Sequence, residues 1–334
     1  MDLYKLITDI EQVDPEIYGR LDSRRRVFKH FGLAGKALTA AVMPGLVSGI
    51  FQRAYGQGTA LPADIVAVLN LALSLEYLEF YFYDSGLKAT GLIPAADQPA
   101  FQIIRNDESG HIKVLRGALG NQAIADPGRG SFDYSGGKNP EPLPSPTAVG
   151  RGPFATVFTD YKIFLGVSQA FVDTGVRAYK GGAPTLMPNK DILESALNIH
   201  SVEARHSSHV RTIRRGLAAS QSGQGATGVL ADPNTPMNAR PKSWISGLDN
   251  GGPSPDTNPS TKPVYGPGNP ATGAPTAIFF PAEDNITQAG VNITTNTAGL
   301  TPAAASEAFD EPLDAATVKS IARNFVVSTT VLFT

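Results

Sequence analysis

Glu108-Ser-Gly-His111 and Glu203-Ala-Arg-His206 each place an imidazole three residues after a carboxylate. On an α-helix, residues at i and i+3 share a face, so each pair can offer one oxygen and one nitrogen to a single metal ion. Steps of three and four put the first pair in the stripe Phe101, Ile104, Glu108, His111, Leu115. The second pair falls in Ile192, Ala196, Ile199, Glu203, His206, Val210. In both stripes the Glu and His stand where an amphipathic helix would carry core residues.

A third stripe adds another carboxylate. The run around Leu69, Leu73, Glu76, Phe80 and Tyr83 carries Glu76, and the neighbouring stripe Ala72, Leu75, Glu79, Phe82 carries Glu79. Periodicity alone does not choose between them; Glu76 is the first choice and Glu79 the reserve. An unpaired buried ion costs several kcal/mol, against a total stability of about 5–15. No Lys or Arg lies in these inner stripes. A bound cation is the simplest compensation, with protonation and Glu–His hydrogen bonding serving in its absence.

The elements that must carry these groups read as four long helices. They span about 62–88, 97–119, 153–180 and 189–220, with Asp97 and Asn189 as expected N-caps and Gly181-Gly182 as the expected stop of the third. A Gly/Pro-rich linker over 126–152 separates the halves, as in a four-helix bundle with a crossover connection. Residues 221–334 then form an irregular extension rich in Pro, Gly, Asn, Thr and Ser. Short strands are expected at 276–280 and 291–295, with a terminal helix after Asp314 carrying Val318, Ile321 and Phe325 on one face.

Composition narrows the function. The chain of 334 residues has a net charge of −2, which leaves no basic footprint for nucleic acid. It contains no cysteine, which excludes disulfides, thiolate catalysis and iron–sulfur clusters. Gly223 to Gly228 match the dinucleotide fingerprint by letters, but the match follows a helix and opens into coil, so it reads as a loop. His200 and His209 flank the helix-four pair and read as surface or supporting residues.

Residues 1–56 resemble an export signal. Ser23-Arg24-Arg25-Arg26-Val27-Phe28-Lys29 has the twin-arginine pattern, followed by a moderately apolar run to Phe51 and the small residues around Ala54. Lys36 and Pro44 make that run a poor membrane span. The expected location is periplasmic or extracellular, and cytoplasmic if the segment is instead a basic amphipathic helix.

The passages LNLALSLEYLEFYFY, NDESGHIKVLRGAL, FVDTGVRAYKG, IHSVEARHSSHVRTIR and ASEAFDEPL resemble the exported ferritin-like family that includes desiccation-related proteins. The resemblance covers about residues 62–220 plus a patch near the end. It implies a mainly α, ferritin-like four-helix bundle with two metals, held by a Glu from helix one, a Glu from helix three and a Glu-x-x-His from helices two and four. Glu76, Glu108, His111, Glu203 and His206 then stand as metal ligands. Helix three departs from the pattern: Val172 occupies the place of its glutamate, and the adjacent Asp173 falls in a stripe that reads as the wet face.

This reading implies a partly degenerate diiron-type site holding one iron, manganese or zinc ion per chain, or none. Tyr83 and Tyr161 are candidate nearby phenols. The expected function is an exported, stress-related metal-binding protein. A non-catalytic surface scaffold and an active diiron oxidase or ferroxidase are the alternatives. A homodimer or a surface partner fits the extension, and no integral membrane span is expected.

Overall fold

The computed structural model describes residues 60–138, 152–221, 244–245, 262–269, 280–295, 297 and 299–334. The twin-arginine-like segment and the Gly223–Gly228 loop lie outside the described residues. The bundle consists of α1 (Ala63–Lys88), α2 (Gln98–Leu119), α3 (Tyr161–Leu186) and α4 (Lys190–Gln221). α1 pairs with α2 and α3 with α4; lesser contacts of α1 with α3 and of α2 with α4 close the ring. α2 and α3 are therefore not ring neighbours, and the chain between them must cross the bundle.

Residues 120–138 of this crossover run beside α1 and are fastened to it. Asn70 Oδ1 accepts from the Ile124 amide at 2.9 Å, and the Tyr134 hydroxyl donates to Leu78 O at 2.7 Å. Arg129 reaches Ser85 Oγ at 2.8 Å and lies over the Tyr134 ring. Phe132 and Tyr134 are wholly buried and, with Phe82, Phe158 and Phe171, build an aromatic wall. α1 is consequently covered on both its stripes, so Glu76 and Glu79 are both buried. Among the described helices only α1 is long and apolar enough to cross a bilayer, and it is instead the core helix of the bundle.

Several local features differ from the sequence expectation. α3 begins at Tyr161, because Asp160 caps it by accepting from the Lys162 and Ile163 amides; residues 153–159 form turns. Asp97 makes no capping bond and instead accepts from the Tyr161 hydroxyl at 2.8 Å. Asn189 does cap α4, accepting from the Ile192 amide at 3.2 Å. α3 does not stop at Gly181-Gly182 but continues to Leu186. A Cβ on Gly181 would lie 1.8 Å from Leu313 O, so the glycine serves a close backbone approach and not a helix end.

The described parts of the extension pack against the bundle. They include α5 (Lys262–Tyr265), a hairpin of β1 (Thr287–Gln288) and β2 (Val291–Asn292), α6 (Pro302–Ser306) and α7 (Ala315–Ala322). Ala289 and Gly290 turn the hairpin with φ of 50° and 81°, as a two-residue primed turn requires. The expected strand at 276–280 lies outside the described residues except for Phe280, which is in no strand. α7 is capped by Asp314 and buries Val318 and Ile321; Phe325 follows in a 3₁₀ turn.

Asp173 marks the largest correction on α3. Its side chain is not on a wet face: it is wholly buried and meets Arg211 at 2.5 Å, Ser207 at 2.6 Å and Tyr265 at 2.5 Å. Gln169 in the same stripe is also buried, between Arg214 and Tyr265. Residues from the extension cover this face, which the helix periodicity of α3 cannot reveal.

Candidate metal centre

Glu76, Glu108, His111 and Glu203 each offer one ligand atom, and these atoms lie within 4.8 Å of one another. All four residues are buried, in the middle of α1, α2 and α4. His111 Nδ1 is the focus: it lies 3.0 Å from Glu76 Oε2, 3.1 Å from Glu108 Oε2 and 3.3 Å from Glu203 Oε1. Three carboxyl groups so close to one ring nitrogen need protons or a cation among them.

His206 sits beside this group. Its Nδ1 is 3.2 Å from Glu108 Oε1 and 3.7 Å from Glu203 Oε2, while its Nε2 is 3.1 Å from Asp107 Oδ2. Asp107 is partly exposed, so it orients the ring from the solvent side. Glu76 belongs to the four-residue group and Glu79 does not, although the charges of Glu203 and Glu108 act on its buried carboxyl. An ideal Cβ on Gly175 would touch Glu79 Oε1 and Glu203 Oε2, each at 3.4 Å, so α3 contributes open room here rather than a ligand.

Charge in this interior is balanced by protons when no cation is bound. Burial pushes Glu76 up to about 8, against the pull of His111. Burial also raises Glu79, and the Glu203 and Glu108 charges add to the shift. For Glu108 burial acts upward, but His206 and His111 outweigh it and bring the group down to about 2. Burial lowers the two imidazoles, yet Glu76 beside His111 and Glu108 beside His206 hold both well above the ordinary histidine value.

Protonation does not satisfy every atom well. Glu79 Oε2, Glu108 Oε1, both Glu203 oxygens and His206 Nδ1 are buried without a well-aligned hydrogen bond, although Glu108 Oε1 and Glu203 Oε1 stand 3.2 and 3.3 Å from ring nitrogens. Such orphans are rare in folded proteins and point to a missing ligand. The donor set of carboxylate oxygens and imidazole nitrogens suits iron, manganese or zinc. The residues present thus fit a divalent metal ion.

The phenols are arranged differently from expectation. Tyr161 belongs to Asp97, not to the cluster. Tyr83 exchanges a hydrogen bond with Ser168 Oγ at 2.9 Å. The phenol that touches a candidate ligand is Tyr179, whose hydroxyl donates to Glu76 Oε1. Its place in the inner stripe of α3, four residues after Gly175, was the available signal. His209 is exposed and His200 half-buried, with no ligand among their bonded partners.

Tyr179 also lines a mainly apolar cavity of about 370 Å³ between α1, α3 and the extension, with Val68, Ala72, Leu75, Leu186 and Val318 among its walls.

Residues 64–215 match the family described as the ferritin-like domain. That segment spans the whole ring from α1 to α4, and its fold is a ferritin-like domain. No curated protein and no solved structure gave a match.

Proposed function

We propose that this protein is an exported metal-binding protein that holds a divalent ion, iron foremost, among Glu76, Glu108, His111 and Glu203. The observation that carries the reading is the convergence of one atom from each of these four buried residues within 4.8 Å. Three carboxylates and one imidazole, drawn from three helices, form a buried site on rigid elements. Bound there, a redox-active ion would supply one-electron chemistry toward dioxygen or peroxide. The chain's own residues set its surroundings: Tyr179 donates to Glu76, and Asp107 orients His206.

Elemental analysis of protein purified without chelator tests this reading. Bound iron, manganese or zinc that is lost in Glu108→Ala supports it. Protein that stays metal-free after incubation with each ion in turn leaves only the scaffold reading.

The export and stress roles rest on the twin-arginine-like motif and on the family resemblance. Exchange of Arg24 and Arg25 for lysine should retain the protein inside the cell; unchanged export would sink the twin-arginine assignment.

A second reading, that of an oxidase, has one observation in its favour. The apolar cavity shares Tyr179 with the candidate metal centre, so a small apolar molecule in the cavity would lie one side chain from Glu76. Dioxygen consumption by iron-loaded protein above the Glu108→Ala background would support it.

A further inference from the structure

None of the four candidate ligands lines the cavity of about 370 Å³ between α1, α3 and the extension. Interiors pack with few voids larger than a water molecule, and space of this size falls in the range of ligand pockets, about 300–1,000 Å³. Small residues hold it open on several elements: Ala72 on α1, Ala178 and Gly182 on α3, Ala196 on α4 and Ala315 on α7. A Cβ on Gly182 would lie 2.9 Å from Val68 Cγ1, so α1 and α3 pinch together at one edge. The wall from the extension is fixed by backbone: the Leu313 amide donates to Arg177 O at 3.0 Å, and Leu313 O rests against Gly181. The cavity is therefore preformed, and an occupant need not order its walls.

The lining sets the chemistry. Among the described residues only Tyr179, Thr185 and Asp314 bring polar side chains to it, and no Lys, Arg or His does. The Tyr179 hydroxyl is spent on Glu76 Oε1. Asp314 already accepts from the Asn269 and Thr317 amides and from the Thr317 hydroxyl. Burial acts upward on its carboxyl, but these donors outweigh it and keep the group ionised. An anionic ligand would meet a negative charge and no cation. Water is poorly served as well, since a buried water takes about three polar partners.

Shape and size narrow the occupant. Thr185 is half-buried and Ala315 exposed, whereas Leu75, Tyr179 and Ala196 are buried. The space thus runs from a mouth between the α3 C-terminus and the α7 N-terminus to a floor one side chain from Glu76. A cavity of about 150 Å³ holds benzene, roughly 25 Å³ per carbon, so this one takes about 15 non-hydrogen atoms.

We propose that this cavity binds an uncharged, mainly aliphatic molecule of about 10–15 carbons, its chain reaching Tyr179 and any polar end at the Thr185 mouth. The inference gives the oxidase reading a substrate class but does not depend on it. With no candidate metal ligand in the walls, binding should occur with or without the ion.

N-phenyl-1-naphthylamine is the probe: it is uncharged, of matching size, and brightens on entering an apolar site. The full chain, stripped of metal with chelator, is titrated with it, and the bound probe is displaced at pH 8 with 1-decanol or decanoate. One probe per chain is expected. 1-Decanol should compete about tenfold or more better than decanoate, whose charge must face Asp314. Ala72→Phe and Ala315→Trp fill the space from two different walls, and each should weaken probe binding about tenfold or more with an unchanged helical circular dichroism spectrum. No bound probe, or probe bound as tightly by both variants, would overturn the proposal. Decanoate competing as well as 1-decanol would overturn the uncharged class on wild-type protein alone, so the test survives a variant that misfolds. Chelator is present throughout, so none of these outcomes touches the metal-binding reading, which elemental analysis decides.

Discussion

Arg177 Nε and Glu283 Oε1 meet at 2.7 Å, and neither side chain reaches solvent. The same guanidinium donates to the carbonyls of Val264, Gly266, Pro281, Glu311 and Pro312, five points on three separate stretches of the extension. One residue of α3 thus ties together three stretches of the extension, beside the Tyr265–Asp173 bond and the buried Leu313 and Val318. A buried guanidinium is tolerable here because carboxylate and carbonyl oxygens surround it.

Arg177→Ala should therefore destabilise the protein by about 3–5 kcal/mol, the usual cost of leaving a buried charge and several acceptors unpaired. Urea denaturation followed by circular dichroism measures the loss. Chymotrypsin, for which Tyr265 and Phe309 are sites, should also cut the variant within residues 262–313 faster than it cuts the wild type. Equal cleavage rates and an unchanged midpoint would mean that the extension is held by other contacts.

Gly181→Ala tests the same junction through backbone sterics. Leu313 O lies 1.8 Å from where the added Cβ would sit, and neither α3 nor a backbone carbonyl can yield cheaply. Alanine normally stabilises a helix interior by up to about 1 kcal/mol over glycine. At this position it should instead lower the melting temperature. A variant as stable as the wild type would show that residues near Leu313 do not rest on α3.

These two sites mark what the sequence could and could not tell. The four helices are legible because their apolar residues recur at helical spacing, and the paired Glu-x-x-His segments stand out against them. The extension has no period, so its coverage of Asp173, Gln169 and Arg177 leaves no trace, and helix spacing alone turns Asp173 toward water. Gly181-Gly182 also fits a helix stop, because glycine has two uses, and only the approach of Leu313 decides between them. Glu76 and Glu79 fall on adjacent stripes of α1. Helix periodicity treats adjacent stripes as rivals, whereas α1, covered by the bundle on one stripe and the crossover on the other, buries both.

Tyr179→Phe removes the hydroxyl that donates to Glu76 Oε1 without changing the ring. A buried carboxyl that loses such a donor costs about 1–3 kcal/mol. The metal-free variant should lose stability in that range, and an ion among Glu76, Glu108, His111 and Glu203 should bind more weakly because Glu76 is less firmly oriented. Calorimetric titration with manganese(II) and thermal unfolding in chelator give the two readouts. If both match the wild type, Tyr179 serves the cavity wall and not the ligand.

The protons that balance the empty cluster predict how metal binding responds to pH. Burial holds Glu76 up to about 8, so between about 4.5 and 8 the metal-free fold keeps a proton that the unfolded chain releases. His111 and His206, raised by the carboxylates that overcome their burial, keep theirs above the ordinary 6.5. All three contributions are present at low pH and fade as pH rises through the raised values. Glu108, brought down to about 2, works in the opposite sense, but only below about 4.5. The metal-free protein should therefore lose stability steadily from pH 5.5 to 8.5. A bound ion must expel the same protons, so its affinity should rise over that range by up to about tenfold per pH unit for each proton released. The gap between the melting temperatures with manganese(II) and with chelator should widen from pH 5.5 to 8.5. A gap that stays constant would show that no proton leaves when the ion enters, and that the buried carboxylates and imidazoles are not its ligands.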